Sequence, residues 1–210
     1  GDGRYAFFAT TAPATPDDSD PTVDLFRRDL VTGETVLASV PPTGATDEAW
    51  TALVGSDDGR HAAFRGATTV HRRDLTTATS EPLAVSGLVG DVADDGTVLL
   101  ALPPDGTDPY RWAFAAPDGT VEPGPGIPFD VLPEPAFRFD LTPDGRFLAG
   151  SVNPGGALFD TYVYDRSTGS VRWAPGLEPG FAEVAVELNP SVSADGRYLA
   201  YRQGIMNRYG

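Results

Sequence analysis

The residues best placed to do chemistry lie in an acidic run, Pro16-Asp17-Asp18-Ser19-Asp20-Pro21-Thr22-Val23-Asp24. Calcium takes about six to eight oxygen ligands in flexible geometry, so Asp17, Asp18, Asp20 and Asp24 form the candidate metal-binding set, with Ca2+ the cation. The spacing is not that of an EF-hand, because no Gly stands where that loop bends sharply. The alternative is a solvated loop in which Asp24, like Asp160 further on, caps the strand that follows. The chain has only two histidines, His61 and His71, and no G-x-S-x-G elbow, so a nucleophilic triad has little to be built from. Both histidines fall in columns of aromatic residues described below and are read as packing substitutions, and no catalytic residue is assigned. Paired carboxylates for glycoside hydrolysis would need two acids set apart from the rest; none are. Arg27-Arg28 and Arg72-Arg73 read as a solvated strand face rather than an anion site. Trp50, Trp112 and Trp173 are expected to pack between sheets, although an exposed one could stack on sugar.

Composition narrows the classes further. The 210 residues carry 15 Lys+Arg against 30 Asp+Glu, a net charge of −15, which opposes nucleic-acid binding because phosphate neutralisation needs a basic footprint. With no Cys, disulfides, thiol catalysis and Cys-based metal sites are excluded. A hydrophobic fraction of 40% and a charged fraction of 21% are those of a folded chain. No apolar run reaches the roughly 18 residues needed to span a bilayer. The 24 Gly and 20 Pro fit many short strands joined by tight turns.

What must position these side chains is a repeat. An Asp-Gly phrase recurs at Asp2, Asp58, Asp95, Asp144 and Asp195, at intervals of 56, 37, 49 and 51 residues. The Asp carboxylate accepts backbone N–H groups and the Gly supplies positive φ, so each phrase predicts a hairpin turn. An apolar strand follows each: Tyr5–Phe8, His61–Phe64, Val98–Ala101, Phe147–Gly150 and Tyr198–Tyr201. Their two apolar faces predict inner strands between stacked sheets. A second phrase follows the first four anchors and turns the chain again, most clearly at Asp29-Leu30-Val31-Thr32-Gly33 and Asp165-Arg166-Ser167-Thr168-Gly169, with outer strands predicted at Glu34–Ser39 and Ser170–Ala174. Phe26, His71, Trp112 and Tyr162 form one aromatic-sized column. First strands are predicted at Thr51–Gly55, Leu88–Ala93, Phe137–Leu141 and Val184–Val192. Repeats of this length suit four-stranded propeller blades, at about 1–47, 48–86, 87–133, 134–181 and, in part, 182–210.

Ser193-Ala194-Asp195-Gly196-Arg197-Tyr198-Leu199-Ala200-Tyr201 and Asp24-Leu25-Phe26-Arg27-Arg28-Asp29-Leu30-Val31-Thr32-Gly33 resemble the TolB-like, WD40-like β-propeller repeats. The resemblance covers nearly the whole chain, with the third repeat degenerate. It implies an all-β propeller of four blades and a partial fifth in a single domain, an arc of a larger ring unless Val184–Val192 closes onto the N-terminal blade. It further implies a non-catalytic protein-binding or scaffold module in an extracytoplasmic location, periplasmic or secreted, meeting a protein or envelope partner through the loops Thr10–Val23, Pro103–Pro109 and Asn153–Phe159. The alternative is the propeller portion of a larger enzyme such as a prolyl-oligopeptidase-like peptidase.

Overall fold

A computed structural model describes residues 3–43, 50–103, 110–127, 139–152, 160–174 and 184–206. These residues form only strands and turns. The chain divides into two compact units, Gly1–Pro103 with Ala113–Glu122, and Pro104–Trp112 with Pro123–Gly210. The first sheet joins β1 (Tyr5–Thr10), β2 (Asp24–Asp29) and β3 (Thr35–Leu37) in chain order. The second joins β4 (Thr51–Gly55), β5 (His61–Arg65), β6 (Val70–Asp74) and β7 (Thr79–Pro82), and the third β8 (Leu88–Val92), β9 (Val98–Leu102), β10 (Arg111–Ala115) and β11 (Val121–Pro123). In the second unit β12 (Asp140–Leu141), β13 (Phe147–Val152), β14 (Asp160–Asp165) and β15 (Ser170–Trp173) form a four-stranded sheet, and β16 (Val184–Val192) pairs with β17 (Leu199–Met206). β16 thus pairs with the strand that its own turn returns. The predicted strand Phe137–Leu141 is reduced to Asp140–Leu141, its first two residues lying outside the described residues.

Three of the Asp-Gly turns, at Asp58, Asp144 and Asp195, are closed by the same bonds, while the turn at Asp95 has Ala93 where they have Ser or Thr. In the second sheet the Asp58 carboxylate accepts from the Arg60 N–H at 2.8 Å and from the Ser56 hydroxyl at 2.7 Å, while Gly59 N–H donates to the Ser56 carbonyl. The Ser56 hydroxyl in turn accepts the His61 N–H at 2.9 Å. Thr142 with Asp144, and Ser193 with Asp195, repeat this set. The Arg of the phrase then reaches across its hairpin to the Asp of the second turn: Arg4 to Asp29 at 2.7 Å, Arg60 to Asp74 at 3.0 Å and Arg146 to Asp165 at 2.9 Å. All five Asp-Gly glycines have positive φ, between 67° and 87°, as do Gly33 and Gly169 in the second turns. The second sheet has Ala78 at that place, at φ 55°, a conformation that costs an L residue about 1 kcal/mol or more.

Cores form where sheets stack. β5 and β9 are buried along four of their five residues, and Ala63, Val70, Val89, Val92, Val98, Leu100 and Ala115 make one cluster. In the second unit Phe147, Ala149, Val163 and Val192 make another. β1 has the pattern of an inner strand but is only partly buried, and Phe8 is exposed at its outer end. The column Phe26, His71, Trp112, Tyr162 is aromatic because each ring meets another, Phe26 stacking on Phe8 and His71 on Phe64 across their strand pairs. Trp112 meets Phe139, and Tyr162 meets Trp173. Trp50 and Trp112 are buried as expected; Trp173 is not, being 49% exposed on the outer strand β15 with Tyr162 against it.

Sheet is locked to sheet by a joint that recurs within each unit. The residue after the Asp-Gly-Arg phrase carries the glycine of the next sheet's turn: Gly59 lies on the Tyr5 ring, Gly96 on the His61 ring and Gly196 on the Phe147 ring. An arginine then donates to that glycine's carbonyl, Arg27 to Gly59 at 2.7 Å, Arg72 to Gly96 at 2.9 Å and Arg172 to Gly196 at 2.7 Å. The solvated-face reading of the arginine pairs therefore fails for Arg27 and Arg72, because strand alternation turns them toward the adjoining turn. Arg72 is 5% exposed and bonds Glu81 as well, and half-buried Arg73 bonds Ser80; Arg28 alone of the four is exposed.

Ala78→Gly is expected to stabilise the protein by about 0.5–1 kcal/mol, removing left-handed strain at the cost of some chain entropy. Gly59→Ala should destabilise it by about 2 kcal/mol or more, because its Cβ would lie 2.3 Å from the Tyr5 ring; chemical denaturation of both variants checks the pair. In the same assay Arg72→Leu should cost about 2 kcal/mol by orphaning the Gly96 carbonyl, and Arg28→Leu no more than about 0.5 kcal/mol.

Candidate functional site

The acidic run lies on the segment from Thr10 to Asp24, which leaves β1 and re-enters the first sheet as β2. The loop is folded by its own carboxylates. Asp18 N–H donates to the Thr15 carbonyl, Asp20 N–H to Asp18 Oδ1 at 3.4 Å, and Thr22 N–H to Asp20 Oδ1 at 2.7 Å. Asp24 Oδ1 accepts from the Ser39 hydroxyl, which itself accepts the Leu25 N–H at 3.0 Å and so ties the loop's end to the segment after β3. In each carboxylate Oδ1 takes a hydrogen bond, from a backbone N–H at Asp18 and Asp20 and from the Ser39 hydroxyl at Asp24, and Oδ2 remains. Oδ2 of Asp18, Asp20 and Asp24, together with the Thr15 hydroxyl, is buried without a hydrogen-bond partner. One oxygen from each of the three acids lies within 4.8 Å of the others.

Asp18 and Asp24 are 4% and 0% exposed and Asp20 is half-buried. Burial pushes the Asp24 carboxyl up; the Ser39 hydroxyl and the Trp50 indole pull it down, while the charges of Asp18 and Asp20 add to the rise. Asp17, the fourth member of the predicted set, is exposed and stands outside this group. The hairpin turn of residues 15–18 sets Asp18 inward and leaves Asp17 on the outer side. Sequence reasoning missed Thr15, Ser39 and Trp50, of which Thr15 alone was near enough in sequence to signal itself.

A second concave feature, a polar cleft of about 370 Å³, lies in the same unit against the joint between the second and third sheets. Arg60, His61, Arg72, Asp74, Glu81 and Asp95 are among its lining residues. His61 Nε2 is 4.0 Å from Asp74 Oδ2, too long for a hydrogen bond, and its ring lies under Gly96. Burial lowers the His61 pKa, so the ring is neutral at neutral pH. His71 is held between Phe64 and Trp50. Both histidines thus occupy packing positions. Burial raises the Asp74 carboxyl, but Arg60 and the N–H groups of Thr76 and Thr77 outweigh it and hold it at about 2. No helix among the described residues is long and apolar enough to cross a membrane.

No family model and no curated protein matches the chain. Solved structures do. TolB from Acinetobacter baumannii aligns with a TM-score of 0.61 at 18% identity, over 97% of this chain and 49% of that one. A TolB-like protein from Agrobacterium tumefaciens gives 0.56 at 15%, over 96% and 72%, and the tricorn protease 0.53 at 15%, over 96% and 20%. The chain has a TolB-like β-propeller fold. It spans about half the length of the Acinetobacter TolB, and at these identities the likeness concerns the fold and not the activity. In this TolB-like fold the repeated turns and joints are the shared frame, and the acidic loop is particular to the first sheet.

The folded pKa of Asp74 lies below the roughly 3.9 of an unfolded Asp, so its contribution to stability is present above about pH 4 and is lost as pH falls through about 2. Arg60→Gln is expected to move the Asp74 titration up toward the ordinary carboxylate range, read from carboxyl chemical shifts. With Arg60 mostly exposed, solvent screening should leave stability at pH 7 nearly unchanged.

Proposed function

We propose that this chain serves as a non-catalytic TolB-like propeller module that binds a protein or envelope partner through its loop face, in an exported or envelope-associated setting. The observation that carries this reading is the contrast within the first unit between fixed turns and a projecting loop. Side chains at the Asp-Gly ends are engaged in joints and ion pairs, whereas Thr10–Val23 stands on the rigid sheet with Asp17, Ser19, Pro21 and Val23 exposed. Loops on a rigid scaffold are where recognition usually lives. Two other loops assigned to this face, Pro103–Pro109 and Asn153–Phe159, fall almost wholly outside the described residues. The packing of both histidines supports a non-catalytic module. A propeller portion of a larger peptidase is the second reading, favoured by the likeness to the tricorn protease and to a prolyl endopeptidase, the latter with a TM-score of 0.53 over 83% of this chain and 28% of that one.

A photo-crosslinking residue placed at Ser19 is expected to give one discrete protein adduct in the native host, and the same residue at Thr77, on the opposite turn, none. Equal labelling from both positions, or none from either, would overturn the reading. Turnover of proline-containing peptide nitroanilides by the purified protein would overturn it in favour of the peptidase.

A further inference from the structure

A loop that needed its acids only to fold would use up their oxygens or leave the spare ones in water. This loop does neither. Each of Asp18, Asp20 and Asp24 gives Oδ1 to a hydrogen bond and retains a buried Oδ2 with no partner, and Thr15 Oγ1 is buried in the same way. Orphaned buried oxygens are rare because each forfeits its hydration. Here they are paired with nothing while three carboxylates repel one another within 4.8 Å. Asp18, 4% exposed, and Asp24, fully buried, cannot relieve this by turning to solvent. A cation removes both penalties together.

We propose that Asp18, Asp20 and Asp24, with the Thr15 hydroxyl, bind one Ca2+ ion in the loop between β1 and β2. The group offers only hard oxygens, without nitrogen or sulfur, which directs it to Ca2+ or Mg2+ rather than zinc or copper. Calcium holds its oxygens at about 2.3–2.6 Å, so opposite ligands stand about 4.6–5.2 Å apart. The 4.8 Å limit on the acid oxygens fits inside that sphere. Magnesium demands near-ideal octahedral geometry and dehydrates reluctantly, which a set drawn from one irregular loop does not favour. Water completes the shell on the side of half-buried Asp20. Asp17 takes no part. Bound there, the ion fixes the loop between Ser39, which anchors Asp24, and the turn at Thr15.

The test uses the whole chain after chelation, with Tb3+ as a luminescent substitute for Ca2+ and excitation through tryptophan, since the Trp50 indole lies near Asp24. One saturable Tb3+ site is expected, displaced by Ca2+ and not by equal Mg2+. About 5 mM Ca2+ should raise the melting temperature by about 3–6 °C. Asp18→Asn should weaken Tb3+ binding about tenfold or more, and Asp17→Asn should leave it unchanged. Should Asp18→Asn fail to fold, Asp20→Asn at the half-buried position replaces it with the same expectation. Absence of both sensitised emission and a thermal shift overturns the site. Equal weakening by Asp17→Asn overturns it in favour of diffuse surface charge, and equal displacement by Mg2+ overturns the assignment to calcium.

Discussion

The stacking of sheets in each unit depends on one contact, a glycine lying flat on a ring. Gly59 on Tyr5, Gly96 on His61 and Gly196 on Phe147 bring the backbone of one sheet's turn to a distance that no Cβ permits without movement. That approach also sets the glycine carbonyl before an arginine from the sheet below. The ring buries apolar area, the guanidinium satisfies a carbonyl that stacking would otherwise strand, and neither works without the other. The contact explains why a histidine can stand with a tyrosine and a phenylalanine at these joints: each offers the glycine a flat ring, and His61, neutral when buried, is one, while the third sheet has Val98 at that place. Tyr198 holds the same place in the fifth sheet, with no such glycine on it among the described residues, and is 66% exposed.

The arginine of this joint shows where a sequence stops being readable. Arg27 and Arg72 occupy matching places in the second phrase, but the second unit has Val163 there, and its arginine is Arg172. Val163 and Arg172 are cross-strand partners, as Arg27 and Val36 are in the first sheet. The guanidinium has changed strands while keeping its target. A repeat aligned along the chain cannot reveal that exchange, since it conserves a position in space and not in sequence. The Arg27-Arg28 and Arg72-Arg73 pairs therefore look alike on paper, although one member of each is a structural donor to the next sheet.

Local chemistry was far more legible. The Asp-Gly turns at Asp58, Asp95, Asp144 and Asp195 stand where the phrase predicts them, because their bonds run among residues no more than five apart, and the strands Thr51–Gly55 and Val184–Val192 coincide with β4 and β16. Outer strands were drawn too long, Glu34–Ser39 against Thr35–Leu37, since an edge strand ends where its single partner ends. The acidic loop lies between these cases. Its carboxylates could be picked out by density, but separating Asp17 from Asp18 needed the turn that points one out and the other in, and Ser39 and Trp50 come to Asp24 only through the sheet.

Constraint and freedom are divided between the two ends of every hairpin. The Asp-Gly connections at residues 56–60, 93–97 and 142–146 are five residues each, whereas the connections leaving the following strand run from residues 66–69 in one sheet to 11–23 in another. Lengthening a loop costs only slowly increasing closure entropy, while the Asp-Gly turns at Gly59, Gly96 and Gly196 must each hold their glycine against a ring of the sheet before. Variation is therefore tolerated at one end of the hairpins and forbidden at the other. The longest described loop is also the one whose carboxylates fold it from within, and that follows from the same division: thirteen residues without a joint to hold them must supply their own fixed points. Asp18, Asp20 and Asp24 do so, at the expense of leaving charge buried at the centre of the loop.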